Sequence, residues 1–183
     1  MFRLALVALA LTVAVLVGLS LLPQPERRVP GGTIALTGAN VTLYPQADPR
    51  AIWHFAAKRV DYEPETGETI LYDIDDAART VGGKTDFTLA SRRITIDAQE
   101  NLRGDAIEVY VPDAKWTLDM KAAGGSPVVI DQQQGRFAAP LLTISGPDID
   151  SQAQNAGMNF DLTDFTSVGE DTKNSDSFRD RAN

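Results

Sequence analysis

The sequence predicts an all-β domain of antiparallel strands, folded into an extended sheet and preceded by a single transmembrane helix. Three observations predict it: an apolar run from Leu4 to Leu22, a period of two in the apolar residues that follow, and a short phrase that recurs three times.

The apolar run is broken only by Thr12, Gly18 and Ser20 and leads directly into Pro23-Gln24-Pro25-Glu26-Arg27-Arg28. As a helix rising 1.5 Å per residue it reaches about 28 Å, close to the ~30 Å hydrocarbon core of a bilayer. A cleaved signal has a shorter apolar region, about 7 to 15 residues, that ends in small residues before the cut. The only such pair here, Gly18 and Ser20, leaves Leu21 and Leu22 on the product. A retained anchor therefore fits better than a signal peptide, and the absence of Cys excludes a lipidated cysteine. Residues 1–3 are read as a cytoplasmic stub, 4–22 as the anchor and 23–32 as a Pro- and Gly-containing linker.

Residues 33–165 are enough chain for one apolar core without metals or disulfides. Residues 166–183 carry only Val168 and Phe178 as larger apolar side chains, so they are expected to form a disordered acidic and polar tail. The net charge of −8 argues against nucleic acid as a partner, which would require a basic surface.

Within the domain, Ile94-Thr95-Ile96-Asp97, Ile107-Glu108-Val109-Tyr110-Val111 and Trp116-Thr117-Leu118-Asp119-Met120 alternate as half-buried strands do. Turn residues separate them at Pro64-Glu65-Thr66-Gly67, Gly82-Gly83, Gln99-Glu100-Asn101, Gly124-Gly125-Ser126-Pro127 and Gly146-Pro147-Asp148. Connections this short leave no room for crossovers, so the strands are antiparallel.

The recurring phrase is Phe55-Ala56-Ala57-Lys58-Arg59-Val60-Asp61-Tyr62, which aligns without gaps to Leu89-Ala90-Ser91-Arg92-Arg93-Ile94-Thr95-Ile96 and to Phe137-Ala138-Ala139-Pro140-Leu141-Leu142-Thr143-Ile144. Strict alternation puts Ala56/Ala90/Ala138, Val60/Ile94/Leu142 and Tyr62/Ile96/Ile144 on one continuous apolar face. A second phrase, Ile70 to Ala77 against Ile107 to Ala114, extends the first two copies. Stacked repeats of this kind bury faces that no single unit can bury alone.

The order of anchor, linker and a β-domain with Trp-x-Phe-x-Ala-x-x-Val-Asp-Tyr, here Trp53 to Tyr62, resembles the LptC-type proteins of lipopolysaccharide export. The repeated phrase, followed by Asn101-Leu102-Arg103-Gly104, is similar to the related LptA and OstA-like repeats. The likeness covers residues 1–150 and is one of patterning. It implies a twisted antiparallel β-jellyroll whose interior holds the acyl chains of an amphipathic lipid. It also implies a single-pass inner-membrane protein with its C-terminal domain in the periplasm or cell envelope. Its partners would be inner-membrane ABC transporter subunits and an LptA-like β-protein joined by strand addition. No cofactor is implied.

The residues expected to line a lipid groove are Val60, Tyr62, Ile70, Tyr72, Ile74, Ile94, Ile96, Ile107, Val109, Val111, Trp116, Leu118, Leu142 and Ile144. Lys58, Arg59, Arg92 and Arg93 are candidate contacts for lipid phosphates at the groove mouth. The same apolar residues also suit the closed core of an anchored structural or adhesive β-domain, so an open and a sealed interior both remain. Catalysis is not expected. His54 is the single His, Cys is absent, and Asp73, Asp75, Asp76, Asp148 and Asp150 lack the spacing of a calcium loop.

Overall fold

The long strands of the computed structural model, which describes residues 33–168, keep an apolar face turned inward across a change of phase partway along. The expected stub, anchor and linker and all but the first three residues of the expected tail lie outside the described residues. Among the described residues there is no helix, and ten strands run in order: β1 Ile34–Leu43, β2 Ala51–Glu63, β3 Glu68–Val81, β4 Lys84–Ile96 and β5 Leu102–Gly104. Then follow β6 Ala106–Val111, β7 Trp116–Lys121, β8 Val128–Asp131, β9 Arg136–Gly146 and β10 Ile149–Asn159. All pairings are antiparallel. The predicted turn segments fall between these strands. At β3–β4, Gly82 and Gly83 take φ of 59° and 82°, the left-handed pair that a two-residue hairpin matched to strand twist requires.

Strands β1 to β4 form a meander, and β9 pairs along one edge with β10. β4 and β9 are then joined twice, through β5–β8 and through β6–β7, which closes a circuit of six strands. Each route carries a row of cross-strand partners on the inner face. One row is Ile34, Tyr62, Thr69, Ile96, Leu102, Ile130, Phe137 and Met158. The other is Val41, Phe55, Ala77, Leu89, Val109, Leu118, Ile144 and Ser151. Residues directly opposite in a ladder share a face, so these two rows are the lining of the core.

The three copies of the repeated phrase share one burial pattern, with a shift of phase in the middle. Phe55 and Ala57, then Val60, are buried, while Lys58 and Arg59 are both exposed. Leu89 is buried before exposed Arg92 and Arg93, and Ile94 and Ile96 after them. Phe137 and Ala139 precede Pro140 and exposed Leu141, and Leu142 and Ile144 follow buried. This corrects the expected apolar column: Ala56 and Ala138 are exposed, Ala90 is half-buried, and Phe55, Leu89 and Phe137 point inward instead. Two successive outward residues shift the alternation by one, as a β-bulge does, and let a long strand bend while keeping its apolar side inward.

The same shift crosses neighbouring strands at Gly38 in β1, Asp73 in β3 and Asn155 in β10, all with positive φ. Register slips beside Ile74 in both the β2–β3 and β3–β4 ladders. The second phrase does not superpose. Leu71 is buried and the aligned Glu108 exposed, because β3 carries its own bulge whereas β6 alternates without one.

The core is densest where Trp53 stacks on Phe55 at 5.3 Å and meets Phe87 edge-on, and where Phe87, Phe137 and Phe160 form a triad with centroids 4.9–5.3 Å apart. Truncating Phe87, wholly buried at that junction, is expected to cost about 3–5 kcal/mol in denaturant unfolding. Tyr110→Ala, on the exposed side of β6, is expected to stay within about 0.5 kcal/mol of the parent.

Candidate functional site

The inner face is not covered evenly. Along the row through β5 and β8, Met158, Ile130 and Leu102 have no exposure, Ile96 has 7%, Tyr62 40% and Ile34 52%. One residue pair inward, Leu36 is 54% exposed although its partner Val60 is 4% exposed and the row continues into buried Leu71 and Ile94. The apolar lining of the interior therefore runs out into solvent at the N-terminal half of β1 and the C-terminal half of β2. Ile34, Leu36 and Tyr62 form this ledge, with Val60 at its inner end. Thr33 closes the margin by donating its hydroxyl to Glu63 at 2.9 Å.

β1 also lacks charge. Its ten residues, Ile-Ala-Leu-Thr-Gly-Ala-Asn-Val-Thr-Leu, contain no Lys, Arg, Asp or Glu, and among the described residues its outer edge pairs with no strand. Edge strands ordinarily carry charges, prolines or covering segments that discourage pairing. The ledge and the unguarded edge meet on the same strand.

The far end of the inner face is closed differently. Arg79, a partner of both Trp53 and Phe87, is 5% exposed and lies between two carboxylates. It donates to Asp48 at 2.8 Å and to Asp86, and its guanidinium lies 5.0 Å from the Phe160 ring centre. The Gly82-Gly83 turn and the Tyr44–Arg50 loop, tied by the Gly82 N–H donating to the Arg50 carbonyl, bring the ion group together, and the Phe triad shields it.

The expected lining residues are divided by the structure. Val60, Ile74, Ile94, Ile96, Ile107, Val109, Val111, Leu118, Leu142 and Ile144 are buried, and Trp116 is half-buried against the same core. Tyr62 is on the ledge. Ile70 and Tyr72 lie on the outer face, because the alternation of β3 places Leu71 inward between them.

The four basic residues are also outside, at the phase shifts rather than at a mouth of the interior. Arg59 lies over the Tyr72 ring at 3.8 Å and pairs with Asp61 at 3.3 Å, and Lys58 lies 3.9 Å from Asp75. Arg92 and Arg93 border an outer hollow together with Asp73, Asp75, Asp105, Glu108 and Asp119. Among the described residues no three His, Cys, Asp or Glu form a metal-ligating group. His54 faces outward on β2, 3.4 Å from the Thr42 hydroxyl.

Sequence reasoning missed Ile34 and Leu36. The signal present was an apolar pair two residues apart in an uncharged stretch directly after the linker. No family model matches this chain, and no curated protein sequence matches it.

The closed end generates an asymmetric prediction. Arg79→Met removes a charge with its donors, and the two carboxylates, 28% and 32% exposed, rehydrate, so the loss should be at most about 1 kcal/mol. Asp48→Asn with Asp86→Asn leaves the guanidinium buried without a counter-charge and should cost about 3–5 kcal/mol. Urea unfolding of the two variants reads the difference, and equal losses would mean that the charges are not coupled.

Proposed function

We propose that this chain is a non-catalytic, membrane-anchored lipid-handling subunit of the cell envelope. Its β-domain would receive the acyl part of an amphipathic lipid at the ledge formed by Ile34, Leu36, Val60 and Tyr62. The observation that carries the reading is the gradient of exposure along one inward row, apolar except for Thr69, from none at Met158 to 52% at Ile34. An acyl chain laid on such a surface gains about 0.8 kcal/mol for each CH₂ removed from water.

Sequence order supports the same reading: β1, which carries Ile34 and Leu36, is the first strand after the expected linker 23–32. In the finer form suggested by the LptC-like patterning, the cargo is of the lipopolysaccharide type. An inner-membrane ABC transporter supplies it, and an LptA-like β-protein in the periplasm receives it by adding a strand to the sheet.

A second reading, an anchored structural or adhesive domain with a sealed core, is favoured by the full burial of Leu71, Ile94, Leu102, Ile107 and Ile130. The two readings differ at the ledge. The parent chain in nanodiscs should bind a fluorescent long-chain acyl probe, and Ile34→Asp with Leu36→Asp should weaken that binding at least tenfold. These two side chains are already half in water, so the thermal midpoint should barely move. A parent that does not bind the probe, or a double variant that binds it unchanged, would overturn the carrier reading and leave the sealed domain.

A further inference from the structure

The phase shifts of β2 and β4 each set two basic residues side by side on the outer face, but the two pairs differ in what surrounds them. In a strictly alternating strand neighbouring residues point to opposite faces, and only the shift brings Lys58 beside Arg59 and Arg92 beside Arg93. The β2 pair is neutralised, Lys58 by Asp75, and Arg59 by Asp61 and the Tyr72 ring. Among the described residues neither Arg92 nor Arg93 forms an ion pair, although both are exposed beside carboxylates.

The β4 pair also stands at a fork. β4 pairs with β6 as far as Ala90 and with β5 from Thr95 onward, so on that side residues 91–94 have no strand partner. The floor of the fork is sealed: the Ser91 hydroxyl donates to the Ala106 carbonyl at 2.7 Å, and a Cβ at Gly104 would come within 2.9 Å of the Arg93 carbonyl oxygen. Above that floor the small residues Ala90, Ser91 and Ala106 leave a hollow of about 690 Å³ on the outer face. Sites for small molecules measure about 300–1,000 Å³. The charges around this hollow do not cancel. Asp75 and Asp119 are taken by Lys58 and Lys121, which leaves Asp73, Asp105 and Glu108 without ion pairs around the same hollow as the two free guanidiniums.

We propose that this hollow is a binding site for an amino phosphate of the phosphoethanolamine type. Arg92 and Arg93 would hold the phosphate, and Asp105 and Glu108, on the β6 side of the fork, would hold the ammonium group. Charge selects this class of ligand. Guanidinium forks match phosphate oxygens, but three free carboxylates nearby oppose a plain anion, and two guanidiniums oppose a plain cation. A small molecule that carries both charges a few bonds apart satisfies both sets. The hollow lies on the outer face and the Ile34–Leu36–Tyr62 ledge on the inner face, so the site stands or falls apart from the carrier reading. The same chemistry occurs as a free compound and as a phospholipid headgroup.

The test is isothermal titration of the full chain in detergent micelles with phosphoethanolamine, inorganic phosphate and ethanolamine in turn. Phosphoethanolamine should bind at least tenfold more tightly than either of the other two, and Arg92→Gln with Arg93→Gln should weaken it at least tenfold. Asp105→Asn with Glu108→Gln should abolish its advantage over inorganic phosphate, because the amine loses its partners while phosphate meets less repulsion. Lys84→Gln with Lys115→Gln, two exposed cations that do not line the hollow, should leave binding within about twofold of the parent. All these side chains are exposed, so the variants should keep the parent's thermal midpoint to within a few degrees. Competition by phosphatidylethanolamine added to the micelles would assign the site to a lipid headgroup, and its absence to the free compound. A parent that does not bind phosphoethanolamine, one that binds inorganic phosphate equally well, or a folded Arg92–Arg93 variant that binds unchanged would overturn the proposal.

Discussion

The architecture depends on one constraint: each long strand must change its inward phase midway without turning its apolar side to water. A strand that alternates strictly stays on one gently twisted surface. Lys58-Arg59, Arg92-Arg93, Pro140-Leu141 and Gln154-Asn155 each place two neighbouring residues away from the core, or nearly so, and the alternation resumes one position later. Because adjacent strands shift at matching positions, most cross-strand pairs survive; the slips beside Ile74 are absorbed by extra residues in β3. The bends this produces allow β4 to give one half of an edge to β6 and the other half to β5, and β9 to do the same with β7 and β8. Without the shift, a single straight partner strand would satisfy each edge and the circuit would not close.

The charged pairs at these shifts acquire a structural reason from that constraint. Two consecutive outward positions suit residues that prefer water on both sides, which Lys58, Arg59, Arg92 and Arg93 supply. Asp75 opposite Lys58 and Tyr72 under Arg59 fix the side chains along the outer face. Ion pairs this exposed contribute little stability. Their effect is on register, since a slip of one residue would drive a guanidinium into the core.

The strand character, the turns and the existence of the repeat were legible from local pattern, because period two and Gly-rich turns are properties of neighbouring residues. The phase within the repeat was not. Phe55-Ala56-Ala57 offers apolar side chains at three positions running, so local sequence fits either alternation, and only the bend imposed by distant partners decides between them. Ile70 and Tyr72 misled for the same reason: Leu71 between them is equally apolar, and its partners Val60 and Ile94 select it for the interior. The ledge was illegible on different grounds. Ile34 and Leu36 look like any strand residues, and their exposure results from the lack of a covering strand among the described residues, which is a property of topology rather than of local pattern.

Closure of the interior is complete at one end and incomplete at the other, and the two ends use opposite chemistry. At the Arg79 end an ion group seals the wall, and a charge held by two carboxylates resists any rearrangement that would separate them. At the β1 end the exposed lining is mainly apolar, with the Thr33–Glu63 pair at its margin, and apolar contact is non-directional, so an acyl chain would be accepted without a buried charge being left unpaired. The rigid end fixes the shape of the sheet, and the adaptable end carries the surface still to be covered. The uncharged edge of β1 follows the same logic: a Lys or Glu there would protect the edge but would place a charge beside the Ile34–Leu36–Tyr62 surface and lower its capacity to bury apolar groups. The opposite edge is treated differently: residues 163–168 lie along β10 and occupy its backbone groups at Gly157 and Gln154.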